Sequence, residues 1–209
     1  APPAGHLQAL RAAAGAAVRV ASHADTGSDR VLSFPSNRPV SPLPNVSAPP
    51  SPEAAALGFL SQYGALFGLA ADDDVSVVST RETVAGRTSV RLRQARRGVP
   101  VLAGAFVLQV DEAGGIVAAA GETSPPEDAR PPIEPQIDVS DALDRALNLV
   151  ARHSEEPVDS LEGTLPVRWL YDPRLLGLEA PPGARPVWRV EVAGGRGKPV
   201  RRLVLLDAA

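Results

Sequence analysis

Cysteine is absent from the 209-residue sequence. The chain can therefore form neither a disulfide framework nor a thiolate zinc site, and it has no thiol nucleophile. Lysine occurs once, at Lys198, so arginine supplies almost all of the positive charge. The formal net charge is only −3, which gives no support to a bulk polyanion as partner.

Aromatic residues are scarce, at 4% of the chain. Few side chains are available to stack on nucleic-acid bases, and we expect no nucleic-acid partner. No apolar run approaches the roughly 20 residues of a membrane-spanning helix, so we expect no membrane span. A secretion signal has a basic segment followed by an apolar one, and the N-terminal residues do not show this pattern.

Motifs for catalysis are also missing. The three histidines, His6, His23 and His153, are far apart, and none has a second ligand one helical turn away with a glutamate between them. No Gly-x-Ser-x-Gly nucleophile turn occurs. We therefore predict no catalytic, cofactor-binding or metal-binding residue in this chain, and an enzyme in its own right has no motif behind it.

Three segments have the apolar spacing of helices. The first runs from His6 to Ala17 and is rich in alanine. The second runs from Ser51 to Phe67, with Ser51 as N-cap, Pro52 at the first helical position and a stripe formed by Ala56, Leu57, Leu60, Tyr63 and Phe67. The third is Val139–Val150, with Asp138 as N-cap.

Alternating segments predict strands. In the first half they are Val18–Val20 with Arg30–Phe34, then Val75–Thr80 and a meander of Ser89–Gln94, Phe106–Val110 and the segment from Ile116. Residues 97–100 are predicted to break the meander. In the second half they are Val167–Tyr171 and a hairpin of Val187–Val192 with Val200–Leu206. The fold class is therefore α+β, with antiparallel sheets each packed against one or two helices.

Proline clusters divide the chain. Residues 35–52 hold seven prolines and predict an irregular connector, and residues 125–136 predict a linker between modules. We assign residues 1–124 to a first module and 137–209 to a second.

One concentrated group of charges is visible, in the arginines near the meander. Alternation puts Arg91 and Arg93 on one strand face, opposite Val90 and Leu92, and two further arginines, Arg96 and Arg97, follow. Such a ridge is either a solvated face balanced by nearby carboxylates or a contact surface for a protein partner.

The order of these elements resembles a known family. The Ser51–Phe67 helix, the strand Val90–Gln94 leading into Gly98-Val99-Pro100-Val101, and the strand Phe106–Asp111 resemble the FTP domain, the propeptide module of fungalysin- and thermolysin-like metalloproteases. The helix Val139–Val150 with the terminal strands Val187–Val192 and Leu203–Ala208 is similar to the PepSY module that follows it.

The resemblance implies a non-catalytic prodomain of a secreted zinc protease, which assists folding, inhibits the enzyme and is removed on activation. Its partner is then a metalloprotease catalytic domain, in cis or in trans, and zinc and calcium are expected only in that attached domain. It places the inhibitory contact in the C-terminal half, at Asp207, Ala208 and Ala209, and we expect a monomer. The alternative is a free-standing secreted protein-binding or protease-inhibitor module with no catalytic domain attached.

Overall fold

The computed structural model describes residues 4–15, 18–22, 29–35, 38–41, 48–83, 86–125, 136–181, 183–194 and 199–208. The chain forms two compact units. Unit 1 contains Ala1–Asp128 and Asp172–Gly183, and unit 2 contains Ala129–Tyr171 and Ala184–Ala209.

Helices and antiparallel strands make up both units, which confirms the predicted α+β class. The helices are α1 (Ala4–Ala14), α2 (Pro52–Tyr63) and α3 (Val139–Ser154). The strands of unit 1 are β1 (Arg19–Ser22), β2 (Asp29–Ser33), β3 (Asp73–Glu82), β4 (Thr88–Arg96), β5 (Val99–Val110) and β6 (Ile116–Glu122). Those of unit 2 are β7 (Leu161–Gly163), β8 (Val167–Tyr171), β9 (Arg185–Gly194) and β10 (Arg201–Asp207).

The sheet of unit 1 has the order β1-β2-β6-β5-β4-β3. The buried side chains of α1, α2 and the strands form one core cluster, in which the rings of Phe67 and Phe106 meet edge to face at 5.5 Å between centroids. Five apolar residues of the predicted meander belong to this core; they are Val90, Leu92, Phe106, Leu108 and Val110.

Helix α2 begins as the sequence predicts. The Ser51 hydroxyl accepts a hydrogen bond from the Ala54 amide at 3.2 Å, and Pro52 is the first helical residue. The α-helix ends at Tyr63 and a 3₁₀ turn completes the predicted segment to Phe67. The placement of Leu57 in the buried stripe was wrong: it is 39% exposed, because the buried face centres on the adjacent helical rows, which include Ala55 and Phe59.

Strand β5 corrects the predicted meander. Instead of a break across residues 97–100, the chain turns on two residues, Arg97 and Gly98, whose φ angles are +50° and +77°, and the new strand begins at once at Val99. Positive φ at both central residues is the geometry of a tight hairpin whose twist matches that of its strands. Pro100 lies within β5, next to a register shift in the β4–β5 ladder, where a missing amide is tolerated.

The sheet of unit 2 is built around β9. Strand β10 pairs along one edge of β9, and β8 and the short, unpredicted β7 pair along the other. Helix α3 packs on this sheet through Ala146 and Val150. Its N-cap is confirmed, since Asp138 Oδ1 accepts from the Asp141 amide at 2.9 Å. The helix runs past Val150 to Ser154, where Glu155 takes a φ of +54°.

Some predictions fall on residues outside the described ranges. They include residues 36, 37 and 42–47 of the predicted connector, nearly all of the linker 125–136, and the end of the first predicted helix at Ala16 and Ala17. The predicted module boundaries stay a prediction. In the described ranges, no helix is long and apolar enough to cross a membrane.

Candidate functional site

The predicted arginine ridge divides between the two faces of β4. Arg91 is exposed and Arg93 half-buried on the outer face, while Val90 and Leu92 are buried in the core, as alternation predicts. Arg97 is exposed in the β4–β5 turn. These three side chains remain candidates for contact with a partner.

Arg96 lies on the opposite face and is held inside unit 1. Its side chain is 11% exposed, and it donates from Nε to Asp73 Oδ1 at 2.7 Å and from Nη2 to Asp73 Oδ2 at 3.2 Å. The Asp73 side chain is fully buried and also accepts from the Ala70 amide and from Gln94 Nε2. A two-pronged pair of this kind is fixed in geometry and costly to break when buried.

Gln94 joins this pair to the chain just after β6. Its Oε1 accepts from the Ser124 amide at 3.1 Å, and its Nε2 donates to the Ser124 carbonyl at 3.2 Å. Arg96 Nη2 donates to the same carbonyl at 2.7 Å. The neighbouring Thr123 hydroxyl donates to the Phe67 carbonyl. Buried side chains thus satisfy the peptide groups of this segment where the strand ladder has ended.

The Ser124 hydroxyl continues the network by donating to Asp172 Oδ2 at 2.8 Å. Asp172 is completely buried, and Arg174 donates to its carboxylate from the amide, from Nε and from Nη2 at 2.8–3.1 Å. Burial alone would raise the pKa of Asp172, but the hydrogen bonds from Arg174 and Ser124 and the charge of Arg174 outweigh it, so the pKa lies below its ordinary value.

We call this network the polar clamp. Its side chains are Asp73, Gln94, Arg96, Ser124, Asp172 and Arg174. Ser124 donates to a carboxylate whose lowered pKa makes it a weak base, so the arrangement is suited to holding chain segments together. One signal in the sequence could have revealed part of it. Gln94 and Arg96 continue the buried parity of Val90 and Leu92, so that polar groups point inward on an alternating strand.

The predicted C-terminal contact residues lie at the end of β10. Asp207 is exposed and within 3.6 Å of Arg185. Ala208 is fully buried beside Trp188 and Ala142, and its amide donates to the Pro186 carbonyl at 3.1 Å. Ala209 is outside the described residues. A partner that reaches this end of the chain therefore meets the side chain of Asp207 before that of Ala208.

Each unit also has an open groove with a mixed polar and apolar lining. In unit 1 a groove of about 600 Å³ lies between α2 and β3 and includes Leu60, Leu69 and Val75. In unit 2 a groove of about 250 Å³ lies between α3 and β10 and includes Leu149 and Leu203. Within the described ranges, His, Asp and Glu side chains form no group that could hold a metal ion.

Comparison with known proteins identifies one family motif. Residues 73–123 match the family model described as Fungalysin/Thermolysin Propeptide Motif, or FTP. The match begins with β3 and ends just beyond β6, so it covers four consecutive strands and three residues of the polar clamp, Asp73, Gln94 and Arg96. No curated protein matches the chain.

Proposed function

We propose that this chain is the prodomain of a secreted thermolysin-like zinc protease, which assists folding of the catalytic domain and inhibits it until the prodomain is removed. The observation that carries the proposal is the match of residues 73–123 to the FTP propeptide motif. The match coincides with complete structural elements, from the first residue of β3 to the residue after β6. The matched residues therefore form one group of four consecutive strands, and the similarity is not scattered over unrelated parts of the fold.

We further propose that unit 2 is a PepSY module, which follows the FTP motif along the chain. It has one amphipathic helix on a small antiparallel sheet, in the order that the resemblance implies. In this proposal the catalytic zinc is held by the protease domain, and the prodomain contributes a stable scaffold and exposed strands that can dock at a cleft. FTP propeptides belong to secreted proteases, which favours an extracellular location.

The test uses the full chain with the catalytic domain of thermolysin as probe. Denatured catalytic domain is refolded with and without the chain, and its peptidase activity is then followed before and after the chain is digested. We expect a higher yield of active enzyme after digestion and suppressed activity before it. A Phe106→Asp variant, which places a charge in the core of unit 1, serves as the unfolded control.

The prodomain function would be contradicted if the chain neither inhibits the enzyme nor improves its refolding, both in this assay and in the same assay with a second thermolysin-like catalytic domain. Inhibition without any effect on refolding would instead favour the free-standing inhibitor module.

A further inference from the structure

Strand β10 forms an uncovered edge of the sheet in unit 2. It pairs with β9 along its whole length, without a register shift, and among the described residues no strand lies on its other side. The outer strands of the unit 1 sheet are different. Strand β3 has a bulge at Val77–Ser79, and the short β1 has one at Ala21–Ser22. Bulges protect sheet edges from pairing with other chains, so β10 is the edge best prepared to accept a strand.

Two backbone hydrogen bonds show which peptide groups of β10 face outward. The Gly194 amide donates to the Val200 carbonyl at 2.8 Å, and the Ala208 amide donates to the Pro186 carbonyl at 3.1 Å. In an antiparallel ladder, bonded and non-bonded pairs alternate, so the even-numbered residues of β10 bond to β9. The outward-facing peptide groups belong to the odd-numbered residues, which are Arg201, Leu203, Leu205 and Asp207.

The same four residues also share one face of the sheet, because side chains alternate along a strand. Val204, of the other parity, is buried in the core with α3, whereas Leu203 is 50% exposed. Along β10 this face therefore reads basic, apolar, apolar, acidic. When two copies of this strand run antiparallel, the basic residue of each copy is opposite the acidic residue of the other, and the apolar residues are opposite each other.

We propose that two copies of the chain associate through β10, as antiparallel strands centred on Val204. In this register Arg201 of one copy is opposite Asp207 of the other, and Leu203 is opposite Leu205. All these pairs join residues whose peptide groups face outward, so each forms the two hydrogen bonds of a bonded antiparallel pair. The two copies then share one continuous sheet across a two-fold axis.

Side-chain surroundings are compatible with this pairing. Arg201 is bonded to Glu191 at 3.2 Å and Asp207 is near Arg185 at 3.6 Å, yet all these side chains are partly exposed and Arg201 is 82% exposed. A second copy would extend each pair into a row of alternating charges. A strand laid along β10 would also border the open groove beside α3. This inference goes beyond the proposed prodomain function, does not depend on it, and replaces the monomer expected from the sequence.

The test is sedimentation of the full chain at concentrations from about 1 µM to about 1 mM, a range that reveals weak association. We expect the wild type to move from monomer to dimer. Arg201→Asp and Asp207→Arg each place like charges opposite one another twice across the two-fold axis, so each alone should raise the dissociation constant about tenfold or more. An equal mixture of the two variants restores opposite charges at both positions and should dimerise again.

Arg202→Asp is the matched control. It makes the same charge change as Arg201→Asp, but residue 202 is opposite the apolar Leu206 of the second copy, so the dimer should be retained. Amide hydrogen exchange of the wild type tests the interface without any variant. The Leu203 and Leu205 amides should exchange more slowly as concentration rises, while Val204 is protected at every concentration.

A wild type that stays monomeric throughout the range would overturn the proposal. If the wild type dimerises, the proposal would still be overturned if the Leu203 and Leu205 amides gain no protection from exchange. The same holds if the two charge variants associate as tightly as the wild type, or if their mixture does not dimerise again. None of these measurements contains a protease, so their failure is distinct from failure of the prodomain function.

Discussion

Gln94 acts at the residue scale as a substitute for one residue of a neighbouring strand. Its amide both donates to and accepts from the peptide of Ser124, which is the pattern that a paired strand would provide. Ser124 lies beyond β6, so without this side chain its buried peptide groups would lose bonding partners. A single glutamine thus extends the sheet's hydrogen bonding past its last strand residue.

Replacing Gln94 by leucine should therefore destabilise unit 1 by about 2–4 kcal/mol, because it leaves several buried polar groups unsatisfied. The readout is hydrogen exchange of the Leu108 amide in the core, since both tryptophans, Trp169 and Trp188, belong to unit 2. Gln109→Leu, on the outer face of β5, is the control and should change stability by no more than about 0.5 kcal/mol. Equal effects of the two substitutions would contradict this role of Gln94.

Asp172 should make the stability of unit 1 depend on pH. Burial would raise its pKa, but the bonds from Arg174 and Ser124 prevail and lower it below the ordinary 3.8. A depressed carboxyl pKa stabilises the fold fully above the unfolded pKa and loses that contribution as the pH falls through the folded value. Asp172→Asn should thus be less stable than wild type at pH 7, and the difference should narrow below about pH 3.8.

Urea unfolding across the acid range, followed by exchange or circular dichroism, measures this narrowing. Ser124→Ala keeps the carboxylate beside Arg174 and should keep much of the pH dependence. Stability curves of wild type and Asp172→Asn that run parallel down to pH 2 would count against the assignment.

At the element scale, strand β5 contains an irregular segment between Pro100 and Ala105. In the ladder Arg93 pairs with Ala105 and Ala95 with Pro100, so β5 has extra residues between the two pairs. Within them Ala103 takes a φ of +62°, and a Cβ on Gly104 would lie 2.8 Å from Gln94 Oε1. The small residues here make room for the polar clamp.

Neighbouring substitutions in this bulge should have opposite signs. Ala103→Gly should stabilise unit 1 by about 0.5–1 kcal/mol, because it relieves a left-handed conformation. Gly104→Ala should destabilise it by about 1–3 kcal/mol, because the new methyl meets Gln94 and Val101. Gly5→Ala in α1, where nothing lies within 4 Å, is the control and should be neutral or slightly stabilising. Denaturant midpoints decide the order of the three variants.

Periodicity predicted most elements, because it reports which face of a helix or strand is buried. It located α2, α3, β8 and the β9–β10 hairpin within a few residues. It missed that β5 begins at Val99, since a proline and three consecutive small residues interrupt the alternation that defines a strand. Strict alternation would have placed Arg96 on the same buried face of β4 as Leu92 and Gln94. Its charge favoured the exposed group of arginines instead.

At the scale of the whole molecule, unit 1 is discontinuous in sequence. The segment Asp172–Gly183 belongs to it, although the residues on both sides of that segment belong to unit 2. The polar clamp provides the physical connection, through the bond between Ser124 and Asp172, which are 48 positions apart. Local sequence patterns carry no information about a pairing at this separation, and the predicted boundaries of the second module, residues 137–209, stay a prediction.

A double-mutant cycle measures how strongly this distant segment is bound to unit 1. Ser124→Ala and Asp172→Ala each remove the same hydrogen bond, so the double variant should lose less stability than the sum of the single losses, with a coupling of about 0.5–3 kcal/mol. Pairing Ser124→Ala with Asp159→Ala, an exposed carboxylate in unit 2, gives the control cycle and should be additive within about 0.5 kcal/mol. Additivity in the first cycle would mean that the clamp does not fasten residues 172–183 to the rest of unit 1. Coupling in the first cycle together with additivity in the control cycle would show that the hydrogen bond between Ser124 and Asp172 helps to hold residues 172–183 in unit 1.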